Sequence, residues 1–365
     1  MIFPKSTMAL FCLSIFTFSF TLTILLLLNS TTPQTQSSQT KPCNDDPYKQ
    51  LNLIRYPNGT IIRQNKSTTP PSLDPALPVV SKDLIINKSK PTWARIYLPH
   101  KALDLTSKKL PLLIFFHGGG FIFLSAASKI FNDFCFNMAN NVVAVVVSVE
   151  YRLTPEHRLP AAYEDAVEAL HWIKSNQSDE WLRNHVDYSN VFIMGSSAGG
   201  NIAYNAGLRV AMVEDVEDEV SKMIKGLILI QPFFSGTHRT RSEVRLANDS
   251  HLLLCNNDAL WELSLPIGVD RDHEYCNPMV RDNVLRLKKV REFGWWVLVT
   301  DCEGDPLVDR SIGLVRLMEE NGVNVVGHFT KGGYHGVQDS EPLKAMELFG
   351  VIKTFISSLH SHTIE

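Results

Sequence analysis

Apolar runs of strand length alternate with stretches of helical pattern through most of the chain, and this alternation limits the possible folds more than any other feature. Six of the nine residues at 141–149 are valine, which is typical of a strand buried on both faces. Residues 160–175 show helical spacing of apolar positions, with a proline in the first turn. Strands alternating with helices of this length predict an α/β protein with a mostly parallel, doubly wound sheet and helices on both faces.

The same pattern extends over the remaining body of the chain. It predicts strands at 94–99, 111–116, 190–194, 224–230, 295–300 and 323–329, and helices at 197–212, 309–321 and 342–359. Residues 235–290 interrupt the alternation and are longer than an ordinary connection. Because such insertions commonly cover a site above the sheet, we expect a cap there, completed by residues 45–80.

Residues 1–30 form a separate piece of sequence. Residues 8–28 carry no charged side chain, and a run of about 20 apolar residues crosses a bilayer, whereas the apolar core of a signal peptide is usually about 7–15 residues long. No clear cleavage site follows, so we expect an uncleaved signal anchor on a membrane of the secretory pathway, with a cleaved signal peptide and secretion as the alternative. Residues 31–44 are expected to be a flexible tether before one folded domain at 45–365.

Composition limits the partners. The 365 residues are 44% hydrophobic, which excludes a mainly disordered chain, and 35 basic against 38 acidic residues give a net charge of only −3. We therefore expect no nucleic-acid partner, and membrane contact through the amino-terminal segment only. Six cysteines without a CxxC pair predict no zinc site and leave disulfides and free thiols equally open. Six sequons favour a luminal location only weakly: Asn29, Asn58, Asn65, Asn87, Asn176 and Asn248.

A G-x-S-x-G pattern at 195–199 lies between a predicted strand and a predicted helix. Glycines at both ends of such a turn let strand and helix pack closely, so that the central Ser197 projects its hydroxyl above the sheet edge. The turn also places Ser197 at the start of a helix, whose dipole favours developing negative charge. We therefore predict that Ser197 is a nucleophile.

A second glycine-rich segment follows the strand 111–116 and consists of His117, Gly118, Gly119 and Gly120. Glycines allow backbone amides to approach a substrate oxygen without an intervening Cβ atom. These glycines, together with the amide of Ala198, are predicted to form an oxyanion hole, in which one donor contributes about 3 kcal/mol to the transition state.

Two further strands are followed by candidate partners of Ser197. Asp305 and Asp309 follow the strand 295–300, and we favour Asp305 because Asp309 is placed to begin the next helix. His335 follows the last predicted strand in a loop of small residues. The chain order Ser197, Asp305, His335 fits this architecture and predicts acyl transfer, with His335 as base, Asp305 as its orienting carboxylate and no metal or organic cofactor.

Four motifs in order resemble the plant carboxylesterases of the hormone-sensitive-lipase group: HGGG at 117–120, YRLTPEHRLPAA at 151–162, GSSAGGN at 195–201 and GDPLVDR at 304–310. The resemblance extends over about residues 45–360. It implies an α/β-hydrolase fold with a cap, the triad and oxyanion loop named above, and ion pairs for Arg152 and Glu156. Residues 1–44 have no counterpart in typical, soluble members, so the cytosolic location of those members is not implied.

The expected activity is hydrolysis of a small or medium carboxylic ester. Phe121 and Phe123 make the rim beside the glycine loop apolar and are expected to bind a hydrophobic group, although plain core packing is an equal alternative. Two other functions occur on similar scaffolds. A lyase or cyclase could use the same site as a proton shuttle, and the gibberellin receptors resemble this family but lack the histidine that this chain keeps at 335. The sequence leaves the oligomeric state open.

Overall fold

The structure is a computed structural model that describes residues 43–63, 67–104, 109–176, 178–213, 219–280 and 283–361. The apolar run 8–28 and the tether, apart from its last two residues, lie outside these ranges, so the anchor stays a prediction. Within the described ranges, no helix combines the length and the apolar character needed to cross a bilayer.

Eight strands form the central sheet. They are β1 (Val79–Asn87), β2 (Thr92–Pro99), β3 (Leu110–Phe116), β4 (Val145–Glu150), β5 (Val186–Ser196), β6 (Ile224–Ile230), β7 (Trp296–Cys302) and β8 (Asn324–Thr330). The spatial order is β8-β7-β6-β5-β3-β4-β2-β1. Only the β1–β2 and β2–β4 pairs are antiparallel, which confirms the predicted, mostly parallel sheet. Two short strands, Ile54–Arg55 and Ile61–Ile62, pair separately.

The helices are α1 (Pro47–Gln50), α2 (His100–Asp104), α3 (Lys129–Met138), α4 (Ala161–Ser175), α5 (Glu180–His185), α6 (Ala198–Ala211), α7 (Glu219–Met223), α8 (Arg241–Arg245), α9 (Leu254–Ser264), α10 (Asn283–Glu292), α11 (Val308–Glu320), α12 (Val337–Ser340) and α13 (Pro342–Ser361). Apolar side chains of α4, α6 and α11 pack on one face of the sheet, and those of α3 and α13 pack on the other. Helices therefore cover both faces, as predicted.

Strand β3 shows why the sheet is buried on both sides. Its side chains point alternately to the two faces, so Leu112, Ile114 and Phe116 join one apolar cluster while Leu113 and Phe115 join the other. All five side chains are completely buried. Each such burial contributes about 1.5–3 kcal/mol, which holds β3 rigidly in the centre of the sheet.

The predicted strand at 141–149 is wrong in its first part. Residues Ala139–Val143 form a single π-helical turn that extends α3, closed by a hydrogen bond from the Ala144 amide to the Ala139 carbonyl (3.3 Å), and β4 begins only at Val145. Val142 packs into the cluster on the α3 side of the sheet. A continuous apolar run does not reveal this boundary, because the last helical turn and the first strand residues are both buried.

The inserted segment 235–290 contains α8, α9 and most of α10, and it is linked to the start of the described chain. Cys43 and Cys255 form a disulfide, and the Gln50 side-chain amide donates to the Asn256 side-chain oxygen (2.7 Å). The two segments in which a cap was expected are therefore joined to each other. The other described cysteines, Cys135, Cys276 and Cys302, are free and buried.

Candidate active site

Three parallel strands of the sheet end at the site. Ser197 follows β5, Asp305 follows β7 and His335 follows β8. Because β5 to β8 run in the same direction, their carboxyl ends lie at one edge of the sheet. Ligands of α/β sheets bind at this edge, so the topology brings together residues that are up to 138 positions apart.

The turn at Ser197 requires the glycines of its motif. Ser197 has φ 55° and ψ −120°, a backbone conformation that L-residues rarely adopt. A Cβ atom on Gly195 would collide with the carbonyl of Gly199, and one on Gly199 would collide with the carbonyl of Phe116. The close packing of β5, α6 and β3 thus holds the backbone of Ser197 in its strained conformation.

The side chains of Ser197, His335 and Asp305 form a continuous hydrogen-bonded chain. His335 Nε2 lies 2.8 Å from Ser197 Oγ, and His335 Nδ1 lies 2.7 Å from Asp305 Oδ2. Asp305 is completely buried, and its Oδ1 accepts a hydrogen bond from the Leu307 amide (2.8 Å). An Nδ1–H bonded to Asp305 leaves Nε2 as the acceptor for the serine hydroxyl, which is the tautomer that a general base needs.

The charge of Asp305 also tunes His335. Burial of the imidazole lowers its pKa, but the charge and the hydrogen bond of Asp305 and the charges of Asp339 and Asp249 raise it, so that the net shift is upward from the ordinary value. Asp309, the competing carboxylate, lies elsewhere: its Oδ2 accepts from the Ser242 amide (2.8 Å) in the first turn of α11. It therefore links α8 to α11 rather than meeting the imidazole.

The glycine loop, residues 118–120, lies directly against Ser197. A Cβ atom on Gly118 would be 3.3 Å from Ser197 Cβ, and Gly119 and Gly120 adopt φ values of +110° and +61°. The amides of Gly119, Gly120 and Ala198 donate to no other group in the described part of the chain. These amides are consequently available to a substrate oxygen.

His117 supports the loop from below. Its ring is completely buried and stacks on Tyr151 with a centroid distance of 4.3 Å, while the Tyr151 hydroxyl donates to the His117 carbonyl (2.8 Å). Burial lowers the pKa of His117 to about 4, so the ring is neutral at physiological pH. The sequence analysis did not predict that Tyr151 holds this loop. Its position directly after a buried strand could have indicated a role at the sheet edge.

Gln231 is a second residue that the sequence analysis missed. It directly follows β6; its side-chain amide donates to the Tyr334 carbonyl (3.1 Å), and its side-chain oxygen accepts from the Gly336 amide (2.8 Å). The side chain thus fixes the residues on both sides of His335. Its position after a buried strand was again the only signal in the sequence.

The site opens into a cavity of about 580 Å³. It is lined by Gln50, Leu51, Asn52, Gly118, Gly119, Gly120, Phe123, Leu124, Ile130, Phe131, Ser197, Phe233, His251, Leu252, Asn256, Leu260, His335, Gly336, Asp339 and Ser340. Both segments expected to form a cap contribute to this lining. A cavity of this size and mainly apolar character fits a drug-sized organic molecule.

The two phenylalanines expected at the rim lie in different places. Phe123 lines the cavity. Phe121 does not: its ring is completely buried and packs edge-on against Phe233 and Trp261, with centroid distances of 6.0 and 5.4 Å. The backbone of Phe121 has φ +64°. Phe121 therefore supports Phe233, a wall residue, from behind.

The ion pairs implied for Arg152 and Glu156 are present. The Arg152 guanidinium binds Asp165 (Nη2 to Oδ1, 2.7 Å), and Glu156 pairs with Arg63. Arg63 also donates to the Thr154 carbonyl (2.7 Å). These contacts fix the loop after β4 and do not reach Ser197. Within the described ranges, no group of three or more His, Cys, Asp or Glu side chains is arranged to hold a metal ion.

Comparison with known proteins identifies the family of the chain and several relatives. Residues 113–339 match the family described as alpha/beta hydrolase fold. The chain is 48% identical to carboxylesterase 20 of Arabidopsis thaliana over 86% of this chain and 97% of that protein. It is 43% identical to 3-O-acetylpapaveroxine carboxylesterase CXE2 of Papaver somniferum, over 85% of this chain and 99% of the other.

Solved structures agree on the fold. An esterase of Pyrobaculum calidifontis superimposes with a TM-score of 0.63 at 28% identity, over 77% of this chain and 85% of the esterase. The alternation of strands and helices, the serine turn and these similarities lead to one conclusion. The chain belongs to the α/β-hydrolase family and, within it, to the serine carboxylic-ester hydrolases of the plant carboxylesterase group.

Proposed function

We propose that Ser197, His335 and Asp305 are the catalytic triad of this ester hydrolase. His335 Nε2 takes the proton of the Ser197 hydroxyl as Oγ attacks the carbonyl carbon of the ester. His335 then gives that proton to the departing alcohol, which leaves an acyl-serine. Water, deprotonated by the same nitrogen, attacks the acyl carbon and releases the carboxylic acid and free Ser197. The observation that carries this proposal is the unbroken hydrogen-bonded chain from Ser197 Oγ to Asp305.

The oxyanion that forms in both tetrahedral intermediates is assigned to the amides of Gly119, Gly120 and Ala198. Their free N–H groups and the contact of Gly118 with Ser197 support this assignment. Each donor contributes about 3–4 kcal/mol when it is aimed at the developing charge. Gly118 acts by its small size, because a side chain at this position would press on the nucleophile.

The substrate is proposed to be a medium-sized ester with a hydrophobic part. Phe123, Phe131 and Phe233 form apolar walls of the cavity, and Leu260 of α9 lies over Gly120. Residues 43–52 and 235–290 act as a cap in this proposal, and the Cys43–Cys255 disulfide joins its two parts. Cap residues such as Leu260 would then set the size of the acyl or alcohol group that fits.

Turnover of p-nitrophenyl acetate and butyrate tests the proposed triad. We expect hydrolysis of both esters by the wild type, and loss of at least about 10³-fold in kcat for Ser197→Ala. Ser189→Ala, an exposed serine in β5 that lies outside the cavity, is the matched control and should keep its activity. Activity near wild type in Ser197→Ala would place the nucleophile elsewhere.

We further propose that residues 8–28 direct the chain into the secretory pathway. The Cys43–Cys255 disulfide supports this, since structural disulfides form and persist in oxidising compartments. Carbonate extraction and amino-terminal sequencing of protein expressed in plant cells test it. A membrane-bound chain with an intact amino terminus indicates an anchor, whereas a chain that begins near residue 30 indicates a cleaved signal. A cytosolic, fully reduced chain would refute the proposal.

A further inference from the structure

Asp339 lines the cavity but has no part in the proposed mechanism. It lies in α12, four residues after His335, and Gly336 and Ser340 line the cavity beside it. Its Oδ1 is shut off from solvent and has no hydrogen-bond partner in the described part of the chain. Burial raises the pKa of Asp339 to about 7, although the charge of His335 opposes this shift. Asp339 is thus a carboxyl group that lacks a partner of its own.

The described surroundings of Asp339 supply no lysine or arginine. The other polar wall residues apart from the histidines and Ser197 are neutral: Gln50, Asn52, Asn256 and Ser340. No lysine or arginine lines the cavity or forms an ion pair with Asp339 within the described ranges. A nearby acid on α3, Asp133, is by contrast paired with Lys129. Since a carboxylate oxygen that is shut off from solvent is unfavourable without a partner, a bound group that carries a positive charge would complete this site.

Gly336 leaves room for such a group. A Cβ atom on Gly336 would lie 3.4 Å from Asp339 Oδ2, so the missing side chain keeps this oxygen uncovered next to the catalytic histidine. The aromatic rings of Phe123, Phe131 and Phe233 line the same cavity. Aromatic faces attract cations, which makes a carboxylate within an aromatic cavity a suitable site for an ammonium group.

We propose that Asp339 is a specificity-determining residue that binds a protonated amine in the substrate. This inference rests on the proposed function and names its substrate class: an ester that carries a basic nitrogen in either its acyl or its alcohol part. The ammonium N–H donates to the carboxylate of Asp339 while the ester carbonyl lies at Ser197. A hydrogen bond between two charged groups is stronger than one between neutral groups, so it separates amine esters from neutral esters of equal size.

Two pairs of esters with matched shape test the proposal. One pair carries the charge in the alcohol: 2-(dimethylamino)ethyl butyrate and 3-methylbutyl butyrate. The other carries it in the acid: ethyl 4-(dimethylamino)butyrate and ethyl 5-methylhexanoate. In each pair a protonated nitrogen replaces a CH group, and the ratio of kcat/KM values is compared between wild type and Asp339→Asn. For at least one pair, we expect this ratio to fall about tenfold or more in the variant.

Asp133→Asn is the matched control, because it removes the same charge from a residue that does not line the cavity. Its ratios should stay within about threefold of the wild type. Inhibition of the wild type supplies a measurement that needs no variant. N,N-dimethylethanolamine mimics the alcohol part of an amine ester, and 4-(dimethylamino)butanamide mimics the acyl part. For the part that meets Asp339, the charged compound should inhibit neutral-ester hydrolysis about tenfold more strongly than its uncharged isostere.

The outcomes separate this proposal from the proposed function. If all neutral esters are hydrolysed and both ratios are the same in wild type and Asp339→Asn, the amine site is refuted while the triad stands. An equal loss of rate for both members of a pair would make Asp339 a positioning residue of His335 and would also refute amine binding. If the wild type hydrolyses none of the four esters and no p-nitrophenyl ester, the proposed function itself is refuted.

Discussion

Replacing Gly119 by alanine should damage catalysis more than stability. A Cβ atom at this position would lie 2.8 Å from the carbonyl carbon of Phe123 and still closer to its oxygen, whereas ordinary contacts are 3.4 Å or longer. The loop must therefore shift by about 1 Å, and the backbone must keep φ near +110°, which is strained for alanine. A shift of this size takes the Gly119 amide out of hydrogen-bond range of an oxyanion.

Loss of one oxyanion donor lowers kcat by about 10²–10³-fold, or about 2.7–4 kcal/mol. The backbone strain adds about 1–3 kcal/mol of destabilisation, so urea unfolding should show a moderately lower midpoint. Gly350→Ala is the control, because Gly350 is exposed in α13 and a Cβ atom there meets nothing within 4 Å. It should keep full activity and gain about 0.5–1 kcal/mol. A kcat within threefold of the wild type for folded Gly119→Ala would refute the role of this loop.

Three further predictions concern residues around the triad and the cap. Gln231→Leu leaves the Gly336 amide without its acceptor, so urea unfolding should show about 1–3 kcal/mol of destabilisation and steady-state kinetics at least a tenfold lower kcat. An unchanged kcat would contradict the positioning role of Gln231. In wild type, kcat/KM should rise with pH through the pKa of His335, which lies above the ordinary value of about 6.5, because only the neutral imidazole accepts a proton. In Asp305→Asn, the pH–rate profile should show this rise at lower pH, and kcat should fall about 10⁴-fold. The double substitution Cys43→Ser and Cys255→Ser should lower the Tm, since loss of the cross-link costs up to about 5 kcal/mol of unfolding free energy by the chain-entropy relation. Dithiothreitol should lower the Tm of the wild type but not that of this variant.

The elements of the sheet could be predicted closely from the sequence because each has a local signal. Strand Ile224–Ile230 was predicted with its observed bounds, and the helix after Ser197 differs by one residue at each end. The start of β4 was misplaced, since Val142 and Val143 are as apolar in a π-helical turn as in a strand. The local pattern of apolar residues indicates that a segment is buried, but it does not indicate the backbone conformation of that segment.

The site could be predicted only where motif and chain order determine it. Gln231 and Gly336 are 105 positions apart, and Cys43 and Cys255 are separated by 212. No local pattern specifies such pairs, because they depend on how the loops at the sheet edge fold over one another. Phe121 and Phe123 illustrate the same limit: they are two positions apart and equally apolar, yet the ring of Phe121 is buried in the core and Phe123 lines the cavity.

The central claim is that Ser197 is an activated nucleophile that forms an acyl-enzyme. The most direct test treats the purified full-length chain with a small fluorophosphonate. Mass spectrometry of its peptides then locates any adduct within residues 43–365. We predict a single adduct, on Ser197, in protein that also turns over p-nitrophenyl butyrate, and no adduct in His335→Ala, in which the base is missing. An adduct without turnover would favour the lyase or cyclase alternative. The absence of any adduct on Ser197 in folded wild-type protein would contradict the account and favour a ligand receptor.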